Sequence, residues 1–260
     1  MFGSLSGETL LSLLPAGSTC LSLTGCALVL AVAGFARGYG GFGFSAIAVA
    51  GAGFFLPLTV VVPLAILLEV AASVQMAPSV FRHVDWNRMS GLTAGAILGN
   101  PLGIAALQYA SSQSVSLFVY GFILLAALIL LPGKTRSFAI GNIGWFMTGL
   151  AAGAINGASA LSGLFIVIVM TLSATDPSRM RATLIAYFFV SDLYAAIVMA
   201  WRGVIGFDIL LLALVMLPVM GVSIMLGSRR FAGATDAEFR RAVLILLFTL
   251  AVTGLARMLV

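Results

Sequence analysis

The chain has 260 residues, of which 62% are hydrophobic and only 8% charged, with a net charge of +5 and a mean hydropathy of +1.18. A soluble domain is about half apolar and roughly a quarter charged, so these few charges cannot cover a water-exposed globule. A cytosolic enzyme, a nucleic-acid binder and a disordered tail protein are thereby excluded.

What remains is an all-α polytopic membrane protein. One span takes about 20 apolar residues, so the chain holds roughly eight to ten and leaves no room for a separate extramembrane domain. The N-terminus carries Glu8 and no early Lys or Arg. It therefore lacks the basic start of a cleaved signal peptide, and the first hydrophobic stretch is expected to persist. Cys20 and Cys26 sit six residues apart in one apolar segment. That spacing puts them on different faces of a helix, so it specifies neither a disulfide nor a metal site.

Apolar runs separated by polar or Gly/Pro clusters predict ten segments. The first five are Thr19–Ala36, Phe42–Leu56, Thr59–Phe81, Ser90–Tyr109 and Ser114–Leu131. The second five are Ala139–Ile155, Ala160–Leu172, Thr183–Trp201, Ile209–Leu226 and Ala242–Leu259. Helix is the economical state for all of them, because backbone exposed to lipid must satisfy its own hydrogen bonds.

The order of features repeats. Gly34-Phe-Ala-Arg37-Gly38 and Gly153-Ala-Ile-Asn156-Gly157 lie 119 residues apart, and segments of only 15 and 13 residues follow them. Next comes a longer segment with an acid near its middle, Glu69 or Asp192, and later a helix containing Pro101 or Pro218. We read two half-repeats, 1–135 and 136–260, within one membrane domain. Five segments per half is odd, so the second copy runs upside down. Short, Gly-interrupted segments at matching places in inverted halves point to a transporter's binding site.

Charge supports the same count. With ten alternating segments, one side receives Arg37, Arg82, Arg88, Lys134, Arg136, Arg179, Arg181, Arg229, Arg230, Arg240 and Arg241, and the other only Arg202 and Arg257. The positive-inside rule makes the rich side cytoplasmic and puts both termini outside. Eight spans would scatter these charges. The short segments reach only about 22 and 20 Å at 1.5 Å per residue, against a ~30 Å hydrocarbon core. They are expected to be re-entrant or broken helices whose turns line a cavity within the membrane.

Arg37 opens Arg-Gly-Tyr-Gly-Gly-Phe-Gly-Phe, in which Gly38, Gly40 and Gly41 let backbone N–H groups converge. The following helix aims its positive end at the same point, and an arginine there suits an oxyanion through paired hydrogen bonds. The second turn offers the neutral groups of Asn156, Gly157, Ser159 and Ser162. Arg37 could otherwise be an ordinary loop charge, and the glycines could serve packing alone. Glu69 and Asp192 are the acids well inside apolar segments. Carboxylates at that depth are protonated, paired or functional, which makes both candidates for ion coupling or for a structural pair with Arg37.

Glycines at four-residue spacing, Gly91 to Gly103 and Gly149 to Gly157, predict close helix packing. Trp86, Tyr109, Tyr120, Trp145 and Trp201 fall near segment ends, as interface anchors do. The single histidine, His83, lies in a basic loop. That argues against haem and multi-histidine zinc sites, and against a protease built from His83 with Ser159 or Ser162. No catalytic residue, metal or cofactor is expected.

The Arg-Gly-Tyr-Gly-Gly-Phe-Gly-Phe turn, its second copy Asn-Gly-Ala-Ser-Ala-Leu-Ser-Gly and the inverted halves together resemble the sulfite exporter TauE/SafE family, from about Leu23 to the C-terminus. Here Phe42 and Phe44 interrupt the glycine run, and the second copy has Ala and Ser in place of several glycines. The resemblance implies a bacterial inner-membrane transporter, often an exporter, of sulfite, organosulfonates or related small anions. With the cytoplasm negative, outward movement of one negative charge is favoured by ~2.3 kcal/mol per 100 mV. A passive anion channel and a non-transporting membrane assembly subunit are the alternatives. The expected partners are a small anion and the lipid bilayer, with a proton and a second copy of the chain as further candidates, and no nucleic acid.

Overall fold

The computed structural model describes residues 15, 19–131, 139–173, 175–230 and 236–258; Glu8, Lys134 and Arg136 lie outside them. The described chain forms ten α-helices and no strands. The first five are α1 (Cys20–Gly40), α2 (Phe44–Ala52), α3 (Leu58–Val80), α4 (Trp86–Tyr109) and α5 (Ser112–Leu130). The others are α6 (Asn142–Ser159), α7 (Ser162–Leu172), α8 (Pro177–Trp201), α9 (Phe207–Arg230) and α10 (Asp236–Arg257). Each predicted apolar segment coincides with one helix.

Helix starts follow local hydrogen bonding. Thr19 and Ser22 cap α1 reciprocally, the Ser22 N–H donating to Thr19 Oγ1 at 3.1 Å and the Thr19 N–H to Ser22 Oγ at 2.8 Å. Asp85 accepts from the Arg88 N–H at 3.2 Å to start α4, and Ser111 from the Ser114 N–H at 3.1 Å to start α5. α8 begins six residues before its apolar run because Asp176 caps it and carries Arg179 and Arg181 into the first turns. α4 and α9 continue through Pro101 and Pro218.

Six helices, α1, α3, α4, α5, α8 and α9, are long and apolar enough to cross a membrane. α6 has 18 residues, but four glycines and two asparagines dilute it; α10 has 22 and carries Asp236, Glu238, Arg240, Arg241 and Arg257. α2 and α7 have nine and eleven residues. They rise only about 14 and 17 Å, roughly half of the hydrocarbon core. α2 folds back along α1, with Gly51 against Val29 and Gly25 against Phe55. The reversal runs through Gly41 and Gly43, at φ of 75° and 91°. The corresponding reversal from α6 to α7 passes through Ala160 at φ 59°, the one non-glycine with positive φ among the described residues.

The predicted glycine stripes meet each other. Gly95, Gly99 and Gly103 of α4 lie on the carbonyls of Phe146, Leu150 and Ala154 in α6, and Gly149, Gly153 and Gly157 lie on Leu92, Ala96 and Asn100. Numbers rise together, so the two helices run parallel with their backbones touching, and no Cβ fits between them. α1 and α9 pair likewise, through Gly34 on Met220, Gly38 on Ile224 and Gly227 on Phe35. α3 packs on α8, α5 on α10, α4 on α8 and α9 on α3. Exchanging α1–α5 with α6–α10 returns the same set of pairings.

Trp86, Tyr109 and Trp201 are exposed at helix ends, as expected of anchors. Tyr120 and Trp145 are buried instead. Tyr120 reaches the Ala50 carbonyl at 3.4 Å, and Trp145 fills the space beside Gly91 while Arg88 lies 5.0 Å from its ring centroid.

Candidate functional site

Arg37 belongs to the last turn of α1 and is fully buried, at 0% exposure. It is therefore not a loop charge. Its Nη2 pairs with Glu69 Oε1 on α3 at 2.9 Å and donates to Ser73 Oγ at 3.0 Å, and its Nη1 donates to the Gly41 carbonyl at 2.7 Å. The guanidinium carbon lies 4.6 Å from the centroid of the Phe188 ring, close enough for a cation–π contribution. Nε is buried without an acceptor.

Glu69 is 2% exposed. Its second oxygen accepts from Ser45 Oγ at 2.8 Å. Ser45 stands in the first turn of α2, whose leading N–H groups receive no side-chain cap. The carboxylate thus bridges a guanidinium and the positive end of a half-length helix.

The second half builds a counterpart with an amide in place of the guanidinium. Asn156, on α6, donates through Nδ2 to Asp192 Oδ1 on α8 at 2.7 Å and to Asn100 Oδ1 at 3.2 Å. Its Oδ1 accepts from Ser162 Oγ, in the first turn of α7, at 2.8 Å. Asn100 Nδ2 in turn donates to Ser191 Oγ at 3.1 Å. All five side chains are buried, and each amide is held in a single orientation by its partners.

The starts of α2 and α7 face one another across a cavity of about 10 Å³. Gly43 and Ser45 line it from one side, Leu161 and Gly163 from the other, and Glu69 and Phe188 close it. A buried water needs roughly that volume, so the space is occluded to anything larger.

Not every predicted residue belongs to this centre. Gly38 presses on the Ile224 backbone, and its carbonyl accepts from Arg181 Nη2 at 3.0 Å. Gly40 lies against Phe42 and Phe239, and Gly157 against the Asn100 backbone. Gly41 makes the left-handed turn and supplies the carbonyl that receives Arg37. Ser159 Oγ donates to the Ile155 carbonyl at 2.7 Å. Arg37 pairs with Glu69 rather than Asp192, which takes the Asn156 amide.

Ser45, Ser73, Asn100, Phe188 and Ser191 complete the centre without having been singled out in the sequence. Asn100 carried a usable signal, an amide in mid-segment directly before Pro101. His83 lies in an exposed turn and lines a cleft of about 560 Å³ with Arg82, Asp85, Trp86, Ser178 and Arg179, none of which belongs to the buried centre. Among the described residues, no three His, Cys, Asp or Glu side chains gather as a metal site.

A family comparison covers the whole of this centre. The sulfite exporter TauE/SafE model matches residues 26–254, from the middle of α1 into α10. The chain belongs to the sulfite exporter TauE/SafE family. No curated protein and no solved structure matches it. TauE/SafE is a family of membrane exporters of sulfite and related anions, so membership places this chain among membrane transporters. Every residue of the Arg37–Glu69 and Asn156–Asp192 clusters falls within the TauE/SafE match.

Proposed function

We propose that the protein is a secondary carrier that exports small oxyanions, sulfite or organosulfonates, across the bacterial inner membrane. The observation that carries this reading is the Arg37–Glu69 pair, set where the uncapped starts of α2 and α7 converge. A guanidinium with a buried free Nε, the Ser45 and Ser73 hydroxyls and two helix N-termini form a donor set suited to a trigonal or tetrahedral oxyanion. Gly40, Gly41, Asn156, Gly157, Ser159 and Ser162 shape the two turns around it.

Alternating access follows from inverted halves, 1–135 and 136–260. The exchange symmetry of helix pairings supports that division. So does direction: α1 runs parallel to α9 and α4 to α6, although α1 and α4, three reversals apart, run opposite ways. Equivalent helices α4 and α9 are then antiparallel, as inversion requires. The positive-inside bias, which survives without Arg37, supports the reading that both termini are periplasmic. A cavity the size of one water between the turns favours an occluded carrier over an open channel.

The test is saturable efflux of sulfite from liposomes containing the pure protein, with competition by methanesulfonate. Saturation with competition is expected. Efflux that rises linearly with sulfite concentration would favour a channel, and none above protein-free liposomes would overturn the reading.

A further inference from the structure

Glu69 already occupies the place an oxyanion would take. One carboxylate oxygen lies 2.9 Å from Arg37 Nη2, the other accepts from Ser45 Oγ at 2.8 Å, and the group is almost wholly buried. A transported anion that is to meet Arg37 and the start of α2 competes for the same donors. Resting on the carrier reading above, we propose that the Glu69 carboxylate is a tethered stand-in for the cargo. The incoming anion displaces it from Arg37 and Ser45, the freed carboxylate takes up one proton, and proton and anion cross together.

Charge makes the proton necessary. In the closed centre Arg37 (+1) and Glu69 (−1) cancel, and Asp192, bonded to the Asn156 amide, keeps one protonation state throughout the cycle. An anion that replaced Glu69 without a proton would leave a carboxylate buried without a counter-charge in the membrane interior, which is costly. With the proton, the centre becomes Arg37 cation, bound anion and neutral Glu69 acid, again cancelling. After release, Glu69 gives up its proton and re-forms the pair with Arg37. The empty carrier can then reorient as a neutral, fully bonded unit. For a monoanion each loaded crossing moves no net charge, so the membrane potential does not drive it.

The neighbours of Glu69 single it out for this role. Among elements packed on or bonded to α3, α1 brings Arg37 and Tyr39, and α8 brings Tyr187, Asp192 and Tyr194. α2 has no titratable group, α5 offers Tyr120, and α9 has Asp208, Arg229 and Arg230 only near its ends. Arg82 and His83 lie in the surface turn after α3, and Arg179 and Arg181 in the first turns of α8. Asp192 is bonded to the Asn156 amide, which it has no need to surrender to an anion at Arg37. It acts as a positioning residue for Asn156 and does not gain or lose the coupled proton.

The test uses liposomes containing the full chain and methanesulfonate, a monoanion with no proton to release at ordinary pH, or, where methanesulfonate is not carried, sulfite at a pH acid enough to hold it as the bisulfite monoanion. Internal pH and anion content are followed together under an imposed potassium diffusion potential. Wild type is expected to move about one proton per monoanion, at a rate unchanged by the sign of the potential. Glu69→Gln is expected to lose proton movement and become driven by the potential, whereas Asp192→Asn keeps the proton-to-anion ratio at whatever rate it runs. A purely structural role for Glu69 would alter rate or yield without altering that ratio. Wild-type flux without protons, following the potential, would overturn the coupling and leave the anion carrier standing. No flux of either anion would overturn both.

Discussion

Asn156 holds the position 119 residues after Arg37 and does for Asp192 what Arg37 does for Glu69: its Nδ2 lies 2.7 Å from Asp192 Oδ1, against 2.9 Å from Arg37 Nη2 to Glu69 Oε1. One half offers its acid a cation and the other an amide, so a centre built twice has one guanidinium. On the carrier reading proposed above, that asymmetry provides a single anion seat rather than two.

Arg37 is the first residue to vary. Arg37→Ala leaves Glu69 buried without its counter-charge, and breaking a buried pair in this way costs about 3–5 kcal/mol. Its thermal unfolding in detergent is expected well below wild type. Arg37→Lys keeps the charge but not the planar fork. With one charge-assisted hydrogen bond worth roughly 1.5–3 kcal/mol, apparent anion affinity is expected to fall about tenfold to a hundredfold. Arg37→Lys affinity equal to wild type would show that the fork does not hold the anion.

The α4–α6 contact tolerates no side chain. Gly99 lies on the Leu150 carbonyl and Gly153 on the Ala96 backbone. Gly99→Leu is expected to yield little monodisperse protein, and Gly99→Ala to lose about 1–3 kcal/mol through forced separation of the helices. Gly121, with no atom near its missing Cβ, is the control: Gly121→Ala should melt at or slightly above wild type. Size-exclusion profiles and thermal unfolding read both.

Ala160 turns the chain from α6 into α7 at φ 59°, a conformation that costs an L-residue about 1–2 kcal/mol. Gly41 makes the matching turn after α1 with no such cost. Glycine's greater freedom in the unfolded chain offsets part of the gain, so Ala160→Gly is expected to stabilise by up to about 1 kcal/mol. A lower melting temperature would mean that the methyl group, buried at 3% exposure beside the central cavity, contributes more than its strain costs.

Asp176 caps α8 outside the apolar span. Hydrogen bonds from the Ser178 hydroxyl and then the Arg179 N–H hold its carboxyl below the ordinary carboxylate range. A group depressed on folding contributes above its unfolded pKa, about 3.9 for Asp, and the contribution disappears as pH falls through the folded value. Amide exchange at Ser178 and Arg179 is therefore expected to quicken, relative to the rest of α8, only on strong acidification. In Asp176→Ala it should be quick at neutral pH as well. Equal protection in the two proteins at neutral pH would remove the cap from the account.

Much of this architecture was legible before the structure. Ten apolar runs became ten helices because a helix satisfies its backbone in lipid within a single segment, and the four-residue glycine spacing announced which faces would touch. The buried centre was legible only in part. Arg37, Glu69, Asn156 and Asp192 stood out as polar groups where few are tolerated, but which cation meets which acid depends on helix rotation, and the hydropathy pattern does not set it. Ser45, Ser73 and Ser191 escaped notice because serine is common in apolar helices, where its hydroxyl can return to its own backbone, as Ser159 does. Tyr120 and Trp145 misled for a related reason. Position along a helix marks depth in the bilayer, while burial is decided by the neighbour across the interface, here Gly254 for Tyr120 and Gly91 for Trp145.

On the reading proposed above, a single closed site, organised by Arg37, carries the anion from one side to the other. The most direct test is counterflow: liposomes containing the pure protein, filled with unlabelled sulfite and diluted into a trace of labelled sulfite. A carrier predicts that label accumulates transiently above its equilibrium level, with the overshoot greatly reduced in Arg37→Lys. Label that climbs only to equilibrium, with no overshoot at any internal sulfite concentration, would contradict it.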